Sequence, residues 1–186
     1  MVIVEGPDGS GKTTLAKAIA ENCGMEYRRP PEEVLSSTHG PAGIELYEWW
    51  MQQLIRPTDE RNEGVYDRCF FISEPIYQFA QVSRELIVDG PTIHRGILDL
   101  WSEGPMIVFC LPPFDTQLSN VIQDGRASLK GLENKHLEKV DFLYWATCAV
   151  WLNGLFETVS YDYTTDEEEF IIERVTAWRE ANKASA

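Results

Sequence analysis

Eight residues near the N-terminus of this 186-residue chain carry its clearest chemistry, Gly6-Pro7-Asp8-Gly9-Ser10-Gly11-Lys12-Thr13, which matches G-x-x-x-x-G-K-[ST] at each defined position. Glycines in such a loop let backbone N–H groups converge on phosphate oxygens, where side-chain bulk would block the approach. Lys12 supplies a mobile cation and the Thr13 hydroxyl a ligand for Mg²⁺. The setting supports the motif. Val2 to Glu5 is a short β-branched run, and Lys12 to Asn22 places Leu15, Ala16, Ile19 and Ala20 at helical spacing before Gly24. A strand feeds the loop and a helix leaves it, so the helix N-terminus adds its positive end to a site for ATP phosphates and Mg²⁺.

A second cluster is Tyr66-Asp67-Arg68, at the end of a strand read over Gly64 to Asp67. In an open α/β sheet that end faces the ligand crevice. Asp67 suits either a Mg²⁺ water or the proton of an acceptor, and Arg68 suits a bidentate clamp on phosphate. A helix N-cap aspartate beside an exposed arginine is the structural alternative. Trp49 and Trp50 suit base stacking, and they equally suit the core face of a patterned helix.

The elements that must position these groups follow from periodicity. Met25 to Arg28 reads as a second strand, and Ile44 to Ile55 as a helix with one apolar face, ended by Pro57. Helices are expected over Ile76 to Val88, Thr92 to Trp101 and Thr116 to Gln123, with a long one carrying Leu137 through Leu155. Met106 to Leu111, a continuous apolar run between Gly104-Pro105 and Pro112-Pro113, reads as a buried parallel strand. Thr158 to Tyr163 alternates as a last strand, and Asp166 to Asn182 is a terminal helix with acids in its first turn. The expectation is one α/β domain over residues 1–186, a five-stranded parallel sheet with helices on both faces. The polar segment 124–134, with Gly125, Arg126, Lys130 and Gly131, has the composition of a closing lid.

Composition narrows the ligands. Sixteen Lys and Arg against thirty Asp and Glu give a formal charge of −14, which opposes loose binding to polymeric nucleic acid or to anionic membrane. An anionic ligand therefore requires a local basic pocket. The four cysteines, at 23, 69, 110 and 148, have neither disulfide-framework nor zinc-finger spacing, which fits a reducing cytoplasm. No apolar stretch approaches the ~20 residues needed to span a bilayer, and no leader is expected ahead of Met1.

Together these residues resemble a family. Glu5 to Thr14 is similar to the phosphate loop of thymidylate kinases, Asp67-Arg68 to their D-R motif, and Ser73 with Tyr77-Gln78 to the S and Y-Q that follow it. Ile72-Ser73-Glu74-Pro75 and Tyr161-Asp162-Tyr163-Thr164 resemble small members encoded by viruses, bacteriophages among them. The resemblance implies the three-layer P-loop NTPase fold, with Gly6 to Thr14 cradling ATP. It further implies that Asp8 touches a sugar 3′-hydroxyl, Asp67 organises Mg²⁺ and Arg68 holds the transferring phosphates. Arg28, followed by Arg29-Pro30, resembles the arginine of an R-E-P segment that contacts the monophosphate. With Gly9 in the loop, the family pattern places a lid arginine at the transferring charge, for which Arg126 is the candidate beside Lys130. The sequence departs from the family at Arg29, where glutamate is usual, and at Tyr47, near the position of the arginine that reads the thymine edge. The resemblance also admits a homodimer.

The expected activity is transfer of the γ-phosphoryl of Mg-ATP to a deoxynucleoside monophosphate, dTMP or a related pyrimidine, modified ones included. Lys12, Arg68 and Arg126 would neutralise charge, and Arg28, Arg29, Trp50, Ser73, Tyr77, Gln78 and Lys130 would hold the acceptor. Two rivals stand beside it. One is a kinase acting on a hydroxyl, of a nucleoside or of a modified pyrimidine in DNA, which requires a base. The other is an ATP-binding regulator without transfer.

Overall fold

The computed structural model describes residues 1–31, 42–80, 89–124, 133–152, 154 and 156–185. The chain runs β1 (Val2–Glu5), α1 (Lys12–Cys23), β2 (Glu26–Arg28), α2 (Ala42–Leu54), α3 (Thr58–Asn62), β3 (Gly64–Asp67) and α4 (Phe70–Phe79). It continues α5 (Gly90–Glu103), β4 (Met106–Cys110), α6 (Phe114–Gln123), α7 (Glu133–Trp151), β5 (Glu157–Tyr161) and α8 (Glu168–Ser185). The strands form one parallel sheet of five, in the order β2-β3-β1-β4-β5. The chain therefore moves one way from central β1 to β2 and β3, then the other way to β4 and β5. Such a reversal opens a crevice at the carboxyl ends of the strands.

Strand alternation divides the core. Val2 and Val4 of β1, with Val65, Met106 and Val108, pack beneath Leu15, Ile19, Ile171 and Val175 of α1 and α8. Ile3, Tyr66, Ile107 and Phe109 face the other way, onto Trp50, Phe70, Phe71, Val140 and Tyr144 of α2, α4 and α7. Buried on both faces, β1 and β4 read as unbroken apolar runs up to Glu5.

The helix expected from Ile76 instead begins at Phe70 and passes through Pro75. A proline inside a helix costs ~3 kcal/mol or more, which is why Pro75 reads as a boundary. Here Phe70, Phe71, Ile72 and Ile76 are all buried, at ~1.5–3 kcal/mol each, and their packing outweighs the lost hydrogen bond. The expected end of that helix, 81–88, lies outside the described residues, as does Leu155.

Candidate functional site

The phosphate loop follows β1 and opens α1, and its backbone is shaped for approach. Gly9 and Gly11 adopt φ of 76° and 80°, and a Cβ at Gly11 would stand 3.1 Å from the Tyr163 ring. The loop is also braced from outside. Asn120 of α6 donates to the Gly9 carbonyl (2.8 Å) and to the Tyr163 hydroxyl (2.6 Å), tying the loop to the turn after β5. Lys12 folds back over the loop, with Nζ donating to the Pro7 carbonyl at 3.0 Å and lying 3.7 Å from the Asp8 carboxylate. Its burial lowers the ammonium pKa, with Arg68 adding repulsion. The Ser10 hydroxyl is buried without a hydrogen-bond partner. An orphaned hydroxyl and a buried cation are what an anionic ligand would satisfy.

At the end of β3, Asp67 is 2% exposed. It accepts from the Thr13 hydroxyl at 2.7 Å and the Tyr27 hydroxyl at 2.9 Å, and the Arg29 guanidinium lies 3.6 Å away. The next residue, Arg68, has φ of 82° and donates its backbone N–H to the Val4 carbonyl at 3.0 Å. This left-handed conformation is uncommon outside glycine and marks a held turn. It aims the guanidinium at Asp8, 2.8 Å away, over the Tyr77 ring at 5.4 Å. Burial alone would raise the Asp8 pKa, yet Arg68 and then Lys12 outweigh it and hold the carboxyl below the usual carboxylate range. The Tyr77 hydroxyl is buried close to Asp8, and burial followed by the Asp8 charge pushes its pKa up.

Thr13 and Asp67 thus present adjacent oxygen donors beside the loop, which fits Mg²⁺, a hard cation that is usually held by one or two protein oxygens together with phosphate and water. Among the described residues no group of three or more His, Cys, Asp or Glu forms an all-protein metal site.

Several expected site residues lie elsewhere. Arg28 is 6% exposed and turns back along the sheet, donating to the Tyr66 hydroxyl (2.6 Å), Glu26 (2.6 Å) and the carbonyl of Glu60, which precedes β3. It crosses close to Gly64, at the start of β3, so it points away from the crevice while Arg29 points into it. The course of the chain at the end of β2 is the physical reason. Trp50 is fully buried against Tyr66, with ring centroids 5.1 Å apart, and offers no face to a base. Trp49 and Tyr47 are partly buried and pack edge-on, Trp49 against Trp50 and Tyr47 against Phe70 and Phe71. The Ser73 hydroxyl, also buried, donates to the Cys69 carbonyl one turn back, and Gln78 donates to Glu74 at 3.2 Å. Thr14 is exposed on the first turn of α1. Arg126 and Lys130 lie outside the described residues.

Residue types alone did not single out Glu5, Tyr27, Asn120 or Tyr144. Glu5 is fully buried at the end of β1, where its carboxylate accepts from the Gly6 N–H (3.2 Å), the Cys69 N–H and the Tyr144 hydroxyl (3.1 Å). The available signal was a charged residue closing an otherwise apolar buried strand.

Comparison with known proteins agrees with this architecture. The family model of ATPases associated with various cellular activities (AAA) matches residues 2–47, which include the phosphate loop and α1. No curated protein matches the sequence. Among solved structures, the chain is similar to deoxyadenosine kinase from M. mycoides with bound dATP, at 18% identity and a TM-score of 0.61, covering 100% of this chain and 99% of that one. It is similar to the YorR protein from Bacillus subtilis in complex with phosphorylated GDP, at 17% identity and a TM-score of 0.66, covering 98% and 97%. Shikimate kinase from Acinetobacter baumannii in complex with shikimate aligns at 16% identity and a TM-score of 0.53, over 98% and 93%. At these identities the likeness establishes the P-loop kinase fold. No helix among the described residues is long and apolar enough to cross a membrane.

Proposed function

We propose that the chain is a P-loop kinase moving the γ-phosphoryl of Mg-ATP onto the phosphate of a deoxynucleoside monophosphate, dTMP or a related pyrimidine, modified ones included. The observation that carries this reading is the pairing of carboxylates with cations and hydroxyls at the loop mouth. Asp8 is bound to Arg68 and Lys12, and Asp67 to Thr13, Tyr27 and Arg29. A phosphate acceptor needs those arginines and needs no base, because its attacking oxygen is already anionic. That oxygen forms a bond to Pγ as the bond from Pγ to the β-phosphate bridging oxygen breaks. The electron pair leaves on ADP, and no proton must be removed.

The roles follow from position. Loop N–H groups and Lys12 hold the donor phosphates, Arg29 and Arg68 offset repulsion between donor and acceptor, and Thr13 with Asp67 would hold Mg²⁺. Bound there, the ion neutralises charge on the donor phosphates. Arg126 is proposed to arrive with the 124–134 segment and exclude water as it closes. The resemblance supports dTMP, and the departures at Arg29 and Tyr47 are where another pyrimidine would be admitted.

A hydroxyl acceptor is the second reading, since a deoxyadenosine kinase shares the fold. It requires a general base, for which Asp67 is the candidate, and Asp67 is already engaged by the Thr13 and Tyr27 hydroxyls and by Arg29, a setting that suits a Mg²⁺ ligand better than a proton acceptor. Incubating the protein with Mg-ATP and each common or modified pyrimidine monophosphate, and following ³¹P signals, tests the assignment. Appearance of a nucleoside diphosphate beyond ADP is expected, and transfer to none of the monophosphates would exclude the reading.

A further inference from the structure

We propose that Glu5 is a positioning residue for phosphoryl transfer, its carboxylate fastening the phosphate loop, the Arg68 turn and helix α7 to one point. This rests on the kinase reading above.

Position 5 continues the face of β1 that carries Ile3, paired in register with Phe109 and packed among aromatic side chains. An apolar residue would suit that place, and a lone carboxylate there is costly unless its oxygens are satisfied. Three donors converge on it from separate parts of the fold. The Gly6 N–H belongs to the first residue of the phosphate loop. The Cys69 N–H belongs to the residue directly after Arg68. The Tyr144 hydroxyl comes from α7, the helix that begins at Glu133, at the C-terminal end of the proposed lid.

The consequence for Arg68 is geometric. Its φ of 82° is unfavourable for a side chain with a Cβ, so the turn must be held from both sides. The Val4 carbonyl takes the Arg68 N–H before the strained residue, and Glu5 takes the Cys69 N–H after it. With both in place the guanidinium lies over Tyr77 and reaches Asp8 at the loop mouth. Without the second, the turn is free to relax, and the guanidinium swings away from the transferring phosphate. The charged and titratable groups facing Glu5 are Arg68 and Cys69 of the turn, Lys12 of α1, Tyr77 of α4, Cys110 of β4 and Tyr144 of α7. Burial raises the Glu5 pKa to about 7, against the opposing pull of Arg68 and Lys12.

The test is a double-mutant cycle on the full chain with Glu5→Gln, Tyr144→Phe and Arg68→Ala, read as kcat and KM, with melting temperatures recorded in parallel. Glu5→Gln keeps the shape but turns an N–H toward one of its donors, and kcat is expected to fall by ~10²-fold with ATP KM within ~3-fold. Tyr144→Phe, which leaves the loop untouched, is expected to lower kcat by ~10-fold. In the Arg68→Ala background the Tyr144→Phe effect should shrink to near nothing and the Glu5→Gln effect to the part carried by the Gly6 N–H, so the double variants should be clearly less than additive. Full additivity with Arg68→Ala, or wild-type kcat in a folded Glu5→Gln protein, would overturn the proposal. A second readout separates this proposal from the kinase reading. In ¹⁵N spectra the Cys69 and Gly6 amides should move together with pH in the wild type, and stay still in Glu5→Gln. If the wild type transfers nothing while the amides move as expected, the kinase reading fails and the fastening stands. If the Cys69 and Gly6 amides have the same shifts in the wild type and in Glu5→Gln, the fastening itself fails.

Discussion

Arg28 and Arg29 are neighbours in sequence, yet they contact different parts of the fold, and a pair of variants can separate a structural arginine from the proposed acceptor-binding one. Arg28 donates to the buried Tyr66 hydroxyl, to the Glu60 carbonyl and to Glu26, whose side chain is 60% exposed. The exposed pair with Glu26 contributes ~0–1 kcal/mol. Removing the guanidinium strands the buried Tyr66 hydroxyl, at ~1–3 kcal/mol, while the carbonyl of exposed Glu60 can return to water. Arg28→Met, which retains the apolar stem, should therefore cost about 2 kcal/mol and lower Tm by roughly 4–8 °C in a chain of this size. Acceptor KM and kcat should be unchanged below the new melting range. Arg29 is one-third exposed and pairs loosely with Asp67, so Arg29→Ala should cost ~1 kcal/mol of stability or less. The charge-assisted contact proposed for it with an acceptor phosphate would be worth ~1.5–3 kcal/mol, so acceptor KM should rise by ~10- to 100-fold. Thermal melts and steady-state kinetics on both proteins read the two effects. An Arg28→Met protein with normal Tm and raised acceptor KM would refute the reasoning.

Lys12→Ala should lower turnover by at least ~10²-fold, because a cation on the transferring phosphate contributes several kcal/mol at the transition state; near-normal steady-state turnover would remove the loop from the mechanism. Arg126→Ala should lower kcat far more than it raises either KM, since a residue delivered by closure sees mainly the transition state; unchanged kcat with weakened binding would reassign it. Glu5 also sets a pH dependence of stability. Its pKa of about 7 in the fold exceeds the ordinary 4.5, so between those values the folded state holds more protons and stability falls as pH rises. Denaturant melts from pH 4.5 to 7 should show the wild type losing ~3 kcal/mol relative to Glu5→Gln, and parallel curves would contradict the burial argument.

Much of this was legible in the sequence because local rules agreed with tertiary ones. The phosphate loop, its flanking strand and helix, and the buried strand at Met106–Cys110 combine apolar period, glycine placement and boundary residues that point the same way. Legibility failed where packing overrode a local signal. Pro75 marks a helix boundary by its own chemistry, and the burial of Phe70, Phe71 and Ile72 carries the helix through it. Arg28 and Arg29 are alike as residue types, and only the course of the chain at the end of β2 decides that Arg28 turns to Tyr66 while Arg29, just past the strand, reaches Asp67. Trp50 and Trp49 met the same limit, since a helix face looks equally suited to a base and to Tyr66 until the sheet is in place. Glu5 was hidden for a different reason. Its donors, Gly6, Cys69 and Tyr144, are spread over the chain, and no spacing rule brings them together.

The acceptor is proposed to be a phosphate and not a hydroxyl. This is tested most directly by offering γ-labelled ATP, at equal concentration, a pyrimidine deoxynucleoside monophosphate, the matching deoxynucleoside, and an oligonucleotide carrying the same base. The paired carboxylates and the facing Arg29 and Arg68 predict label in a nucleoside diphosphate, with the nucleoside and the oligonucleotide left unlabelled. Label entering the nucleoside or the oligonucleotide while the monophosphate stays unlabelled would contradict it.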